Sequence, residues 1–75
     1  MNSAQWIEKS GKYIMKTYGR FPLVPVRGQG CRVWDADGNE YLDFLGGVAV
    51  NNLGHCHPKI VAALQKQAAE LIHCS

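Results

Sequence analysis

The sequence CRVWDADGNEYLDF, residues 31–44, contains the clearest structural signal in this chain. At its centre, Asp37-Gly38 is the strongest short-range signal for a β-hairpin, because both turn residues must accept a positive φ. The flanking segments Cys31–Trp34 and Glu40–Phe44 contain the valine, aromatic and leucine side chains that strands favour. The stretch therefore predicts two antiparallel strands joined by a tight turn.

The residues after the hairpin predict a break in the chain and then a helix. Gly46-Gly47 ends the second strand and allows the backbone to approach another chain or a ligand closely. Pro58 suits the first position of a helix, where the missing N–H would have no partner anyway. One wide apolar stripe follows at helical spacing: Ile60, Val61, Leu64, Ala68, Leu71 and Ile72.

The segment before the hairpin, FPLVPVRGQG (residues 21–30), predicts an extended path. Pro22 and Pro25 exclude a helix and favour an edge strand, and we expect Gly28 and Gly30 to end it with a turn.

The first residues of the chain predict a modest helix over Ser3–Thr17. Gly11 in its middle costs about 1 kcal/mol relative to alanine, so this helix needs a surface to lie against. Its apolar side chains recur at roughly helical spacing: Trp6, Ile7, Ile14 and Tyr18.

Length and composition predict an incomplete domain. The chain has 75 residues, and a domain of this size buries only about 60% of its unfolded surface. Yet 47% of the residues are hydrophobic, including two Trp, three Tyr and two Phe. Much of this apolar surface has no interior to enter, which favours a piece of a larger protein or an obligate partner-binder.

Charge and cysteine content exclude several classes of protein. A scattered net charge of +2 is too weak for a nucleic-acid partner, and no run approaches the ~18 apolar residues of a membrane span. The three cysteines, at positions 31, 56 and 74, have no CxxC spacing, and no apolar signal segment follows Met1. We therefore expect reduced thiols and a cytoplasmic protein.

His55-Cys56-His57 is the most conspicuous candidate site. With Cys31 or Cys74 it could complete a zinc site, but structural zinc usually takes four ligands in two spaced pairs, and only one pair here is compact. Neighbouring residues on an extended chain point to opposite sides, which also disfavours a Cys56 nucleophile activated by histidine. We expect both histidines instead to hydrogen-bond the backbone around a turn and the start of the helix.

Other motifs receive structural interpretations. Gly28-Gln29-Gly30 lacks the third glycine and the helix of a dinucleotide fingerprint. Tyr18 and Arg20 lie in a loop where they could face a substrate, although surface positions are commoner for such residues. The acidic side chains lack calcium-loop spacing, and two of them build the turn: Asp35, Asp37, Glu40 and Asp43.

Taken together, the order of these motifs resembles the start of the class III pyridoxal-phosphate-dependent aminotransferases, most closely the acetylornithine type. The resemblance covers about residues 15–75. Five motifs in register carry it: Tyr18-Gly19-Arg20, Gly28-x-Gly30, Trp34-Asp35-x-Asp37-Gly38, Tyr41-Leu42-Asp43-Phe44 and Gly54-His55-x-His57-Pro58.

The resemblance implies an α+β piece (helix, antiparallel β-hairpin, helix) of a fold-type I α/β aminotransferase. Residues 1–75 would be the N-terminal segment of its small domain, with the large domain that binds pyridoxal 5'-phosphate absent. The partners implied are the remainder of the polypeptide and a second subunit of a homodimer. Trp6, Ile7 and Gly46-Gly47 would be contacts between subunits.

The resemblance also implies an enzyme that transfers the δ-amino group of N-acetylornithine to 2-oxoglutarate in arginine biosynthesis. The lysine that holds the cofactor is not among these residues, since Lys59 and Lys66 match nothing catalytic. We therefore assign no catalytic, cofactor-binding or metal-binding residue, and expect the isolated chain to be inactive. Alternatives are a 4-aminobutyrate or succinylornithine aminotransferase, a non-catalytic module that binds a partner through its apolar helix face, and a small zinc protein.

Two positions carry a substrate-binding role by resemblance. Tyr18 matches a tyrosine at the carboxylate-bearing end of the substrate in ornithine-type relatives. Val48 stands where ornithine δ-aminotransferases have a tyrosine that engages the amino-acid end. Because valine cannot hydrogen-bond an α-amino group, Val48 favours an acetylated substrate over plain ornithine.

Overall fold

The computed structural model describes residues 1–75 and confirms the predicted order of helix, antiparallel sheet and helix. Three strands form one sheet, in which they lie side by side in chain order. A short helical turn separates this sheet from the last helix. The elements are α1 Ser3–Tyr13, β1 Pro25–Gln29, β2 Arg32–Asp35, β3 Glu40–Leu42, α2 Gly46–Ala49 and α3 Pro58–Ala68.

The predicted hairpin is strands β2 and β3, in which Val33 pairs with Tyr41. Its connection is four residues long, 36–39, and only Gly38 has a positive φ, 88°, so the expectation that Asp37 shares that conformation is wrong. β3 ends at Leu42, two residues earlier than expected, because the side chain of Asp43 turns to bond the following backbone. Strand β1 joins the other edge of β2, as the extended path predicted, with an irregularity between Pro25 and Arg27. An edge position suits a strand that begins with proline, which has no N–H to donate.

The prediction that Gly28 lies in a turn is wrong. Gly28 is inside β1 and pairs with Val33, and only Gly30 has the positive φ, 57°, of the turn into β2. The imidazole ring of His55 lies against Gly28, and an added Cβ would come within 2.7 Å of its Cγ atom. Close packing, which local sequence does not report, is therefore the reason for this glycine.

Helix α1 begins where the sequence indicates and ends four residues early, at Tyr13 rather than Thr17. Asn2 and Gln5 form a capping box that satisfies amide donors at its start. Ile14 leaves the helical conformation, and Tyr13 and Met15 are 78% exposed. Since isolated short helices are marginal in water, these residues lack the packing that would extend the helix.

Helix α3 begins at Pro58, as predicted, and His57 caps it by accepting a hydrogen bond from the Lys59 amide at 3.2 Å. The helix ends at Ala68, so the predicted stripe is too long: Leu71 and Ile72 lie beyond it. The backbone N–H of Leu71 instead donates to the Gln67 carbonyl in a closing turn.

The chain encloses no hydrophobic core. The only buried residues are polar, Ser3 and Asp35, and no apolar side chain is buried. Phe21, Phe44 and Leu45 are between 80% and 92% exposed. The elements thus form a layer with open apolar surfaces, as the composition predicted. None of the helices combines the length and apolar character that crossing a membrane requires.

Candidate functional site

Asp35 is the polar centre of the hairpin. Its Oδ1 accepts hydrogen bonds from the Asp37 and Asn39 amides, and its Oδ2 accepts from the side chains of Asn39 and Tyr41. Asp37 in turn accepts from the Ser3 amide at 3.0 Å, which fastens the start of α1 to the turn. The residues that the sequence predicted to build the turn therefore also orient the first helix.

These contacts shift the pKa values of Asp35 and Tyr41 in opposite directions. Burial, the largest single influence, raises the pKa of Asp35, but the hydrogen bonds from Asn39, Tyr41 and Asp37 together outweigh it and lower that pKa below its usual 3.8. The hydrogen bond to Asp35, followed by burial, raises the pKa of Tyr41 above 10.0. The pair is thus held as a carboxylate and a neutral phenol.

Residues Gly46–Ala49 form a left-handed helical turn. Their φ angles lie between 58° and 65°, and the amides of Ala49 and Val50 donate to the carbonyls four residues earlier, both at 2.8 Å. A left-handed conformation costs about 1–2 kcal/mol for each non-glycine residue. The double glycine reduces this cost in the first half, whereas Val48 and Ala49 bear it in the second.

Asp43 caps this turn. Its Oδ1 accepts hydrogen bonds from the Leu45 and Gly46 amides, both at 2.9 Å, and its Oδ2 lies 2.6 Å from His55 Nε2. The hydrogen bond from the Gly46 amide, followed by that from His55, lowers the pKa of Asp43 below 3.8. Asp43 is therefore held as an anion between the turn and the imidazole.

His55 connects this arrangement to the sheet. Its backbone N–H donates to the Gly30 carbonyl at 2.8 Å, and the Gly30 N–H donates to its carbonyl at 3.1 Å. We expected the side chain to bond the backbone; this is wrong, since the ring pairs with Asp43, whereas His57 does bond the backbone as expected. Asp43 and His55 are twelve residues apart, and no local pattern links them.

Tyr18 lies in an open groove between α1 and the proline segment. The groove encloses about 460 Å³ and has apolar walls that include Trp6 and Pro22. Lys16 and Arg20 add two cationic side chains to its lining. Apolar walls with a few charged groups suit a small molecule that carries a carboxylate.

Val48 is presented at the surface of the left-handed turn, 91% exposed. It is not among the residues that line the groove around Tyr18. This chain alone does not bring the two predicted substrate residues together in that groove, and their roles stay predictions.

The remaining candidate residues lie at the surface. Cys31, Cys56 and Cys74 are free and exposed, and no three His, Cys, Asp or Glu side chains are grouped as metal ligands. Glu40 forms an exposed ion pair with Arg32 at 3.2 Å. These residues add no further site.

Comparison with known proteins identifies the family. The family described as "Aminotransferase class-III" matches residues 13–75. This chain belongs to the class III aminotransferases. The resemblance seen in its motifs is thereby confirmed.

Alignments with relatives include most or all of this class III chain, which spans less than a fifth of their length. Acetylornithine aminotransferase of Caldanaerobacter subterraneus is 62% identical over 64 residues, 85% of the chain and 16% of that relative. The Methanocaldococcus jannaschii protein of the same name is 55% identical over all 75 residues, 19% of its length. The crystal structure of acetylornithine aminotransferase from Elizabethkingia anophelis superposes with a TM-score of 0.88 at 44% identity, covering 99% of this chain and 18% of that one.

Membership of this class implies pyridoxal 5'-phosphate, and the residues present do not form a site for it. All five lysines are exposed. The carboxylates of Asp35 and Asp43, which could pair with a pyridine nitrogen, already accept hydrogen bonds from this chain. We therefore assign no step of the reaction on the cofactor to these 75 residues.

Proposed function

We propose that this class III chain is the N-terminal part of the small domain of an acetylornithine aminotransferase. The complete enzyme transfers the δ-amino group of N-acetylornithine to 2-oxoglutarate, releasing glutamate and the corresponding semialdehyde. It acts as a cytoplasmic homodimer with pyridoxal 5'-phosphate, and the large domain supplies the residues that hold the cofactor. Three exposed free cysteines agree with a reducing compartment.

The observation that carries this proposal is the 55% identity to the M. jannaschii acetylornithine aminotransferase over the whole chain, which spans only 19% of that relative. The open apolar surface supports it further. Since Phe44, Leu45 and Leu64 are 64% or more exposed, burying them requires a partner surface. The remaining polypeptide of the enzyme is that partner.

Tyr18 and Val48 face the amino donor in this proposal. Tyr18 stands in a groove with Lys16 and Arg20, which suits the carboxylate end of an amino acid. In the complete enzyme, Val48 offers an aliphatic surface to the acetylated nitrogen on the same α-carbon, where no charged amino group requires a hydrogen-bond partner. Of the two positions, only Val48 favours N-acetylornithine over ornithine, because both donors carry the carboxylate that Tyr18 would face.

A chimeric enzyme tests the proposal. The segment of the M. jannaschii protein that aligns with residues 1–75 is replaced by this chain, and amino donors are compared with 2-oxoglutarate as acceptor. We expect the chimera to use N-acetylornithine with a kcat/KM within about tenfold of the unaltered relative. The same relative without its segment is the control and should be inactive.

An inactive, folded chimera would overturn the proposed function. A higher kcat/KM for 4-aminobutyrate or N-succinylornithine than for N-acetylornithine would leave the aminotransferase class unchanged and assign that compound as the amino donor.

A further inference from the structure

We infer that Asp43 and His55 are positioning residues that hold Gly46–Ala49 in the left-handed turn and thereby fix where Val48 is presented. This inference rests on the proposed function, because the proposed function assigns Val48 to the amino-donor site. Neither side chain contacts the donor in this proposal. Both stabilise the backbone conformation of the turn that carries Val48.

The turn requires an external restraint. Val48 has a φ of 62°, and a β-branched residue is a clear outlier in that region. Such conformations persist only where the surroundings over-determine them, and they cluster at ligand sites. Packing does not supply the restraint in this chain, because Val48 is 91% exposed and Val50 is 74% exposed.

Polar contacts supply it instead. Asp43 Oδ1 accepts from the two amides that open the turn, Leu45 and Gly46, each at 2.9 Å. Because one carboxylate oxygen accepts both hydrogen bonds, and each is charge-assisted, Asp43 sets the direction in which the turn leaves the sheet. The Asp43 backbone is itself fixed, since its N–H donates to the Cys31 carbonyl at 2.8 Å.

His55 holds the carboxylate from its other side. Its Nε2 lies 2.6 Å from Asp43 Oδ2, and the side chains of both residues are about four-fifths buried. The ring rests on Gly28 and the backbone is paired with Gly30, so the imidazole is anchored to the edge of the sheet. A continuous set of contacts thus runs from β1 through His55 and Asp43 to the turn.

The chimeric enzyme described above tests this inference with two substitutions. Asp43→Ala removes the acceptor of the turn, and His55→Phe keeps a ring over Gly28 but removes the nitrogen. We expect both to raise the KM for N-acetylornithine about tenfold or more while kcat changes less than about threefold, since Val48 contributes to binding throughout the reaction. Their effects should be non-additive in the double variant, because the two residues act as a unit.

Two milder variants separate positioning from folding. Asp43→Asn retains an oxygen for the Leu45 and Gly46 amides and should recover most of the donor affinity. Gly28→Ala keeps every hydrogen-bonding group but displaces the His55 ring, and should raise the same KM. Glu40→Gln is the control, because Glu40 forms an exposed ion pair with Arg32 and contacts neither the turn nor the groove around Tyr18.

Amide hydrogen exchange provides a readout that needs no activity. We expect Asp43→Ala and His55→Phe to accelerate exchange at Ala49 and Val50, whose amides close the turn, and to leave the β2–β3 pairing protected.

Unchanged exchange and an unchanged KM would overturn the inference, and so would exchange accelerated equally in the turn and the sheet, which indicates general unfolding. An inactive parent chimera overturns the proposed function, whereas the exchange experiment still decides whether the pair holds the turn.

Discussion

The phenolic hydroxyl of Tyr41 donates a hydrogen bond to Asp35 Oδ2 across the hairpin, at 2.9 Å. It is one of four hydrogen bonds that this carboxylate accepts, the others coming from the Asp37 amide and from the amide and side chain of Asn39. A buried carboxylate is stable only when such partners replace water. The hairpin is therefore organised around a polar group rather than an apolar core.

Asp35→Asn should destabilise the chimera more than Tyr41→Phe does. The asparagine replaces one acceptor oxygen with a donor that faces other donors, whereas the phenylalanine removes only one of four hydrogen bonds. We expect a loss of a few degrees in melting temperature for Tyr41→Phe and a larger loss for Asp35→Asn. Glu40→Gln, in an exposed ion pair, is the control and should change little. Equal melting temperatures for all three variants would contradict this account.

Stability should fall on the acid side because the pKa values of Asp35 and Asp43 are lowered. A carboxyl group with a depressed folded-state pKa stabilises the fold above its unfolded value of 3.8, and this contribution is lost as the pH falls through the folded value. The melting temperature should decline below about pH 4, and less steeply in Asp35→Asn and Asp43→Asn variants, measured relative to their own neutral values. Parallel curves for variants and parent would contradict the prediction.

Because the pKa of Tyr41 is raised, its contribution to stability is lost on the alkaline side instead. The neutral phenol stabilises the fold below its unfolded value of 10.0, and this contribution is lost as the pH rises through the higher folded value. Spectrophotometric titration of the chimera should show tyrosine ionisation above pH 10, and Tyr41→Phe should remove one late-ionising group. Persistence of this late step in that variant would assign it to another tyrosine.

Gly54→Ala should destabilise the loop strongly. Gly54 has a φ of 81°, and an added Cβ would lie 3.0 Å from the Gly30 backbone. Backbone strain and crowding together should lower the free energy of unfolding of the chimera by about 1–3 kcal/mol, measured by denaturant unfolding. Gly19→Ala meets neither obstacle and should be close to neutral. If the two variants unfold alike, the close approach of Gly54 to Gly30 is not a constraint.

Val48→Tyr should shift donor preference in the chimera towards ornithine. A tyrosine hydroxyl can hydrogen-bond the free α-amino group, and its bulk obstructs an acetylated one. We expect the ratio of kcat/KM for N-acetylornithine to that for ornithine to fall about tenfold or more. Val48→Ile preserves an aliphatic β-branched side chain and should keep the parent ratio. An unchanged ratio in Val48→Tyr would remove Val48 from the donor site.

The isolated 75-residue chain should not melt cooperatively. Because no apolar side chain is buried, little hydrophobic free energy opposes the loss of conformational entropy on folding. Near-ultraviolet circular dichroism of Trp6 and Trp34 should change gradually with temperature, and the chain should bind a hydrophobic dye. A sharp transition in a monomer would instead support a free-standing module that binds a partner.

Local structure is predictable from the sequence where a residue restricts its own backbone. Asp37-Gly38 located the hairpin turn, and Pro58 located the start of α3. The end of α1 is not predictable locally: Ile14 leaves the helical conformation after Tyr13, although the apolar periodicity continues to Tyr18. Motif order across the chain was sufficient for the family, whereas the Tyr18 and Val48 roles came from resemblance and stay predictions.

The order of the elements, the open apolar surface and the family are readable in the amino-acid sequence, because they depend on local φ preferences, apolar content and motif spacing. Three features appear only in the folded chain: Asp43 meets His55, Gly28 lies beneath an imidazole ring, and Val48 adopts a left-handed conformation. The first two depend on contacts between residues twelve or more positions apart, which exist only where the fold places β1 and the loop after β3 side by side. Val48 lies in a turn whose first amides bond Asp43, and no local sequence pattern indicates it.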